Sequence, residues 1–256
     1  MELWKLTAKG LCYRKRSGYF GESLTVLPPD KLCSLQIGLA DVDNAFPGFK
    51  TGQFSVVHGS LAHFISTLLC VRAQLPIGDG GLNSPVLFVD GGNSFSPYLV
   101  AELARRYGVD ARAALQNIYV SRAFTAYQLS SLVLNELEKF QERMEAKVVI
   151  VSDITSLYLD RDVPKGDAER LFRMVCSKLL EVAGRRAVVV ATYFPSRRCE
   201  RALLLEALLF GCADTILRFD SSGNVVRFSL ERHPELSPFS LKFSTVHPTM
   251  MEYVEV

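Results

Sequence analysis

Residues 85–124 of the chain read PVLFVDGGNSFSPYLVAELARRYGVDARAALQNIYVSRAF, and they contain the pattern that decides the fold. The stretch opens with the apolar run Val86 to Val89 and closes with a second strand-like run, Ile118 to Val120. Between them, apolar side chains recur with the helical spacing i, i+3, i+4 and i+7. These side chains are Val100, Leu103, Ala104 and Tyr107. A strand, a helix and a second strand in this order predict a βαβ unit with two parallel strands.

The same alternation continues on both sides of this stretch. Further strand-like runs extend from Phe54 to Val57, from Val148 to Val151 and from Ala187 to Ala191. Helical spacing appears in two further sets of apolar residues: Leu129, Leu132, Val133, Leu137, Phe140 and Met144, then Leu171, Val175, Leu179 and Val182. The chain is therefore expected to have the α/β class, with a mostly parallel, twisted sheet and helices on both faces.

The carboxyl-terminal part has a different pattern. Strand-like runs from Thr215 to Phe219, from Val225 to Glu231 and from Phe239 to Phe243 follow one another without an intervening helix. The connections are a turn at residues 221–224 and a segment at 234–238 that begins and ends with proline. Short connections of this kind predict an antiparallel extension of the sheet.

Length and composition place limits on the organisation. The chain has 256 residues, of which 48% are hydrophobic and 22% charged, and this fits one large domain better than two small ones. We expect an irregular amino-terminal arm at residues 1–30 and a single core domain at residues 31–256. A formal net charge of +2 does not indicate a protein that coats nucleic acid.

Cysteine usage and hydropathy indicate the compartment. The six cysteines are scattered without C-x-x-C spacing, which favours a reducing environment and predicts no metal site. The first nine residues lack the apolar core of a signal peptide, and no run of about 18 apolar residues occurs. A soluble, cytoplasmic protein without a membrane contact is therefore expected.

The quoted stretch, with the preceding Gln-Leu-Pro at residues 74–76, resembles the recombinase core of the RecA/RadA superfamily. In that family a strand ends in Asp-Thr-Glu, a Thr-Phe-Arg-Pro turn and a helix follow, and the next strand ends in a sequence similar to Ile118–Phe124. The resemblance extends from about Leu35 to Phe219, and it implies a RecA-like core. The stretch looks like the core of archaeal RadA and of eukaryotic recombinases, and the chain is expected to be an archaeal RadA-like paralogue.

The resemblance also implies a phosphate-binding loop after the first long strand. In the family this loop reads G-x-x-x-x-G-K-[ST]: backbone N–H groups surround the phosphates, the lysine neutralises them, and the hydroxyl binds Mg²⁺. The matching segment is Gly59-Ser60-Leu61-Ala62-His63-Phe64-Ile65-Ser66. Phe64 stands where the family has its second glycine, and Ile65 stands where it has its lysine. Loss of the lysine contact alone costs about 1.5–3 kcal/mol of binding.

Three more family positions depart from the pattern. Gly92 stands where the family has the glutamate that activates water, and Tyr193 stands at the polar sensor position after the fifth strand. The aspartate linked to Mg²⁺ aligns with Ser152, and Asp153 lies one residue later. Because side chains in a strand alternate between faces, Asp153 is expected to point away from the site unless a bulge restores it.

These substitutions together predict a pseudo-ATPase with degenerate Walker A and Walker B motifs. A lysine, a base, a metal ligand and a phosphate sensor are each replaced by a residue that cannot perform phosphoryl chemistry. The expectation is therefore a protein that is not an enzyme, with no nucleotide cofactor and no metal.

Nucleic-acid contacts are suggested at two places. The family holds DNA through two loops, which correspond here to residues 160–167 and 195–203. The second loop contains three arginines, Arg197, Arg198 and Arg201. They form a candidate patch for weak, salt-sensitive binding of single-stranded DNA. The alternative is a solvated helix start whose arginines pair with Glu200 and Glu206.

The second place is the amino-terminal arm, which carries a basic cluster beside Tyr13 and Tyr19: Arg14, Lys15 and Arg16. Basic residues next to aromatic ones are typical of single-strand binding surfaces. A solvated tail is the alternative.

Three hypotheses about function remain open from the sequence. The leading one is a non-hydrolysing accessory or regulatory protein in DNA recombination and repair, whose partner is an active RecA/RadA-type recombinase or another repair protein. The second is an unconventional nucleotide-binding protein with weak ATPase activity that uses Ser60, Ser66 and Asp153. The third is an adaptor unrelated to DNA that keeps the RecA-like fold as a rigid platform.

Overall fold

A computed structural model describes residues 34–195 and 199–244 of the chain. Within these residues the main sheet has eight strands in the order β10-β9-β8-β3-β7-β6-β4-β5. Their bounds are β3 (Phe54–His58), β4 (Val86–Asp90), β5 (Ile118–Arg122), β6 (Val148–Ser152), β7 (Val188–Tyr193), β8 (Thr215–Ser222), β9 (Val225–Arg232) and β10 (Phe239–Ser244).

The direction of the strands divides the sheet into two parts. The six strands β3 to β8 run parallel to one another. β9 is antiparallel to β8, and β10 is antiparallel to β9. This is the mostly parallel sheet with a carboxyl-terminal antiparallel extension that the sequence predicts, and the fold class is confirmed.

Helices cover both faces of the sheet. One face carries α2 (Ala62–Arg72), α3 (Pro97–Arg106) and α4 (Ala111–Gln116). The other carries α5 (Ala126–Ser131), α6 (Leu137–Met144), α7 (Lys165–Gly184) and α8 (Glu200–Cys212). A π-helical segment at Leu132–Glu136 joins α5 to α6, and short 3-10 segments lie at Ile77–Asp79 and Ser156–Leu159.

The parallel strands are buried on both sides, as their continuous apolar runs require. In β4, Phe88 packs into the core beneath α2 and α3, and the adjacent Leu87 and Val89 pack into the core beneath α5 and α7. Strand side chains point alternately to the two faces, so each run supplies both cores. None of the helices in the described ranges combines the length and the hydropathy needed to cross a membrane.

A small ribbon precedes the main sheet. β1 (Ser34–Leu35) pairs antiparallel with β2 (Phe49–Lys50), and α1 (Ala40–Asp43) lies between them. The Asp43 carboxylate accepts backbone hydrogen bonds from Ile37 at 2.9 Å and Gly38 at 2.8 Å, which closes the loop before α1. The sequence patterns did not predict β1, β2, α1 or α4, because each is too short to show a period. The proposed arm at residues 1–30 lies outside the described residues, so its boundary stays a prediction.

The loop that follows β3 lies in close contact with β8. Gly59 has φ +103, a left-handed conformation that side chains rarely adopt, and a Cβ atom there would collide with the Phe219 carbonyl oxygen. The Leu61 N–H donates to that same oxygen at 3.1 Å. The loop after β3 therefore depends on a glycine at position 59 both for its backbone angle and for its distance from β8.

We expect Gly59→Ala to lower the free energy of unfolding by about 1–3 kcal/mol or more, because it combines backbone strain with a steric contact. Urea unfolding followed by circular dichroism measures the loss. Gly52→Ala is the matched control, since Gly52 has φ +92 but no atom within 4 Å of a Cβ there. Equal losses in the two variants would show that the contact with β8 contributes nothing.

Candidate functional site

The family-like positions converge at the carboxyl edge of the central strands. Gly59 follows β3, Gly92 follows β4, Asp153 follows β6, and Tyr193 ends β7. β3, β7, β6 and β4 are consecutive neighbours in the sheet, so these four ends form one row. Ligands of open α/β sheets bind outside the carboxyl ends of the strands, which makes this row the candidate site.

The loop after β3 is closed by contacts within the chain. Helix α2 already begins at Ala62, so only three residues separate it from β3. The Ser60 N–H donates to the Asp220 carboxylate at 3.1 Å, and the Ser60 hydroxyl accepts from the Ser221 N–H at 2.9 Å. Asp220 in turn accepts from Arg218 Nε at 2.6 Å. A carboxylate of β8 therefore occupies a backbone donor that a phosphate would need.

The last three residues of the segment that matches the phosphate-binding loop have buried side chains: Phe64, Ile65 and Ser66. Phe64 and Ile65 are 3% and 0% exposed, and both belong to the core beneath α2. The Ser66 hydroxyl is buried and donates to the His63 carbonyl oxygen at 2.8 Å. Positions 65 and 66 lie within α2, so the Ile65 side chain packs in the core and the Ser66 hydroxyl bonds to the backbone of its own helix.

Next to the loop, a buried carboxylate organises the end of β4. Asp90 is 0% exposed, and it accepts hydrogen bonds from the backbone N–H groups of Ser94 at 2.9 Å and Phe95 at 3.3 Å. Arg122 forms an ion pair with it, with Nε at 3.1 Å and the terminal nitrogen at 3.0 Å from Oδ2. These partners balance the cost of removing the charge from water.

Hydroxyl groups continue this network across the site. Ser94 Oγ lies 2.7 Å from Ser152 Oγ, and Ser152 Oγ lies 3.4 Å from His63 Nδ1. Thr192 Oγ1 approaches Ser152 from the other side at 3.5 Å. A chain of hydrogen bonds thus runs from Arg122 through Asp90 to His63. It links the ends of β4, β5 and β6 to the start of α2.

The structure corrects the expectation for Asp153. The strand ends at Ser152, and Asp153 adopts the left-handed region with φ +48, so alternation along β6 no longer sets its direction. A Cβ atom at Gly92 would lie 2.7 Å from Asp153 Cβ and 2.9 Å from its Oδ2. Burial raises the pKa of Asp153, and the nearby His63 opposes this shift. The Asp153 side chain therefore lies at the site, in the space beside Gly92.

Tyr193 has a different environment from a phosphate sensor. Its hydroxyl donates to Glu206 Oε2 of α8 at 2.7 Å, and its ring stacks on His58 with 6.4 Å between centroids. Burial, together with the hydrogen bond to Glu206, raises the pKa of Tyr193. The phenol is therefore directed to α8 and away from the closed loop.

Comparison with known sequences shows which family the chain belongs to. A sequence model of the Rad51 family matches residues 30–191, which include the closed loop, Gly92, Ser152 and Asp153. The chain belongs to the Rad51 family.

Individual relatives of this Rad51-family chain are meiotic recombination proteins. The chain is 31% identical over 164 residues to the meiotic recombination protein DMC1 homolog A of Oryza sativa subsp. japonica, covering 63% of this chain and 45% of that protein. It is 32% identical over 130 residues to the DMC1/LIM15 homolog of Homo sapiens, covering 50% and 36%. The chain spans less than half the length of these curated relatives.

The arginines proposed for DNA binding are only partly described. Arg201 lies in the first turn of α8, and its NH1 donates to the Asp160 carbonyl oxygen at 2.8 Å and to the Tyr158 carbonyl oxygen at 3.4 Å. It thereby ties the segment after β6 to α8, instead of pairing with Glu200 or Glu206. The remaining basic candidates lie outside the described residues: Arg14, Lys15, Arg16, Arg197 and Arg198.

Sequence reasoning missed most of the polar network in this Rad51-family chain. It did not select His63, Asp90, Ser94, Arg122 or Thr192. One signal was available in the sequence: Asp90 is the fifth residue from the start of its strand-like run, and Arg122 is the fifth from the start of the next. In the structure the two residues are direct register partners on β4 and β5. Within the described ranges, no three His, Cys, Asp or Glu side chains are grouped as ligands for a metal ion.

Replacing Ile65 with lysine, the residue of the active family, is expected to destabilise the protein by about 3–5 kcal/mol without creating ATP binding. The new ammonium would be buried without a partner. Thermal unfolding and calorimetric titration with Mg²⁺-ATP measure the two effects. Ile77→Lys is the control, since Ile77 is 47% exposed and should change stability by less than about 0.5 kcal/mol. A stable Ile65→Lys variant that binds ATP would contradict the buried orientation.

Proposed function

We propose that this chain is a non-hydrolysing member of the Rad51 family that acts in DNA recombination or repair as an accessory binding protein. The observation that carries the proposal is the hydrogen bond from the Ser60 N–H to the Asp220 carboxylate. The anion at the phosphate-loop position is supplied by the protein itself. A phosphate would have to displace it and would meet a carboxylate of the same charge.

The side chains around the loop support the same conclusion. Catalysis of phosphoryl transfer needs a cation on the phosphates, a metal, and a group that positions the attacking nucleophile. Here Ile65 is buried, Ser66 donates to its own helix, and Gly92 has no side chain. The environments of these three positions together support a chain that does not hydrolyse ATP.

The role in recombination is inferred from the relatives, whose names describe meiotic recombination proteins. Cores of this superfamily assemble head to tail through two unlike faces, as the sequence resemblance implies, and such contacts propagate unless one face is altered. A subunit without a working ATP site can still offer its opposite face to an active recombinase. It would then cap or regulate the assembly without adding chemistry to it.

The free edge at β5 is a suitable contact surface for this role. Among the described residues β5 pairs only with β4, so its outer backbone groups are available to an added strand. Phe124, just beyond β5, is 70% exposed, and Tyr127 in α5 is 48% exposed. Exposed aromatic side chains beside an open strand edge are typical of protein interfaces.

One observation favours the second candidate, an unconventional nucleotide site. Asp153 brings a carboxylate next to Gly92, close to where the family's glutamate would be. However, Ser60 bonds to β8 and Ser66 bonds to the α2 backbone, so the three residues of that hypothesis do not converge on one ligand. The accessory role therefore has the stronger support.

We expect no hydrolysis of Mg²⁺-ATP above background and no calorimetric binding at about 100 μM ATP, a concentration within the KM range of many enzymes. A phosphate-release assay and isothermal titration provide the measurements. Clear turnover that Asp153→Ala abolishes would instead establish the second candidate.

We also expect the chain to form a mixed complex with an active Rad51-family recombinase of the same organism, or to change its ATPase rate or filament length at substoichiometric ratios. Phe124→Ala should weaken this association about tenfold, because truncation of a central aromatic contact typically costs 1 kcal/mol or more. Leu180→Ala on α7, where Leu180 is 41% exposed, should leave it unchanged. No association at tens of micromolar and no effect on the recombinase would leave the adaptor unrelated to DNA as the remaining hypothesis.

A further inference from the structure

Two cysteines meet where α7 packs against α8. Cys176 lies in the interior of α7 and is fully buried, whereas Cys212 is the last residue of α8 and is partly exposed. Cys212 packs against the hydrophobic core that contains Cys176, and both side chains are free thiols in the structure. The proposed accessory function makes no use of this pair of nucleophilic groups.

The helical spacing directs both thiols into the same core. On α7, Cys176 lies four residues after the buried Phe172. On α8, Leu205 and Leu209 are buried, and Cys212 follows them at positions i, i+4 and i+7 of one helix face. Each cysteine therefore continues the apolar stripe of its own helix, and the two stripes share one core.

An ion pair sets the register between the two helices. Lys165 is the first residue of α7 and Glu200 is the first residue of α8, and Lys165 Nζ lies 3.0 Å from Glu200 Oε2. Cys176 lies 11 residues beyond Lys165, and Cys212 lies 12 residues beyond Glu200. Helices rise about 1.5 Å per residue, so these positions are about 17 and 18 Å from the common start. The two cysteines thus reach the same level of the packed helices.

The end of α8 is anchored to the sheet, which holds Cys212 in place. Directly after it, the Asp214 N–H donates to the Phe54 carbonyl oxygen of β3 at 2.8 Å. Arg232 of β9 donates from NH1 to the Ala213 carbonyl oxygen at 3.2 Å. A disulfide bond needs two sulfur atoms about 2.05 Å apart, which requires backbones that already hold the thiols side by side. Both helices meet this requirement.

The environments of the two thiols give them different roles. Burial raises the pKa of Cys176, and its electrostatic interaction and hydrogen bond with Cys212 raise it further. Cys176 is therefore protonated near neutral pH, and its burial keeps reagents in solution away from it. Cys212 is the member of the pair that such a reagent can reach.

From this arrangement we propose that Cys176 and Cys212 form a reversible disulfide bond between α7 and α8 on exposure to a small-molecule disulfide such as oxidised glutathione. The Cys212 sulfur gives up its proton, attacks one sulfur of the oxidant and releases one glutathione thiol. Cys176 then attacks the Cys212 sulfur, and its proton leaves with the second glutathione. Two protein thiols are thereby oxidised while one disulfide is reduced to two thiols.

The bond makes the contact between α7 and α8 sensitive to redox conditions. In reducing compartments, protein disulfides are usually transient and are used in catalysis or redox sensing. Closing the segment 176–212 with a covalent bond lowers the entropy of the unfolded chain and so favours the folded state. This inference goes beyond the accessory function and does not depend on association with a recombinase.

Peptide mapping without reduction tests the proposal on the full chain after incubation with excess oxidised glutathione. Trypsin cuts after lysine and arginine, so Cys176 is released in peptide 174–178 and Cys212 in peptide 202–218, each with a single cysteine. We expect mass spectrometry to find these two peptides joined, two hydrogens lighter than their sum. Dithiothreitol should separate them into two free thiols. The Tm of the oxidised chain should rise by about 10 °C.

Three variants separate the roles of the cysteines. In Cys176→Ala, Cys212 should keep one bound glutathione, because no second thiol releases it. In Cys212→Ser, Cys176 should stay a free thiol and the Tm should not rise on oxidation. Cys199→Ser is the matched control: Cys199 is exposed at the start of α8, and the linked peptides and the rise in Tm should be unchanged. Circular dichroism verifies that each variant is folded.

The exposed Cys199 also reports whether the oxidant has acted. Free thiols at both Cys176 and Cys212 in a chain whose Cys199 carries glutathione overturn the proposal. A bond between Cys212 and any cysteine other than Cys176 overturns it as well. Each of these results is obtained on the isolated chain, so a failure of the accessory function leaves the test unaffected.

Discussion

The close contact between the end of β3 and β8 is the constraint on which the rest of the site depends. Gly59 must be left-handed and must lack a side chain, because the Phe219 carbonyl oxygen occupies the place of its Cβ. Once Leu61 donates to that oxygen, the chain has turned toward the helix and α2 begins at Ala62. Phe64 and Ile65 lie in the first turn of this helix, and their side chains pack into the core beneath it.

Because the loop after β3 is closed by the protein's own groups, the buried polar groups at the neighbouring strand ends need hydrogen-bond partners from the protein. Where a nucleotide would supply charges and hydrogen-bond partners, the protein has to satisfy its own buried groups. Asp90 is fully buried and is satisfied by two backbone N–H groups and by Arg122. Ser152 bonds to Ser94 on one side and approaches His63 on the other. The polar network therefore satisfies these buried groups with partners from the protein itself, and an unpaired Asp90 would be strongly destabilising.

The sequence predicts the sheet well, because strands buried on both faces are continuous apolar runs and strands of the extension are separated by clear turns. The resemblance in sequence also predicts that Phe64, Ile65 and Gly92 replace residues of the family's phosphate site, and this stays a prediction. It does not predict Asp153, because a left-handed residue directly after a strand breaks the alternation on which the expectation relied. Nor does it predict Asp220, which is 160 residues from Ser60 and meets it only because β3 and β8 are neighbours.

The positions around the closed loop depend on one another, and this bears on the proposal that the chain does not hydrolyse ATP. A glutamate at position 92 cannot simply be restored, because its Cβ would meet Asp153 Cβ at 2.7 Å. A lysine at position 65 would enter the core beneath α2, where the Ile65 side chain is fully buried. Each of the two changes therefore conflicts with a different neighbour: Asp153 at position 92 and the core beneath α2 at position 65. The two cores lie on the faces of the sheet, and Phe64 and Ile65 of the candidate site belong to one of them, so the site and the fold are stabilised by the same packing.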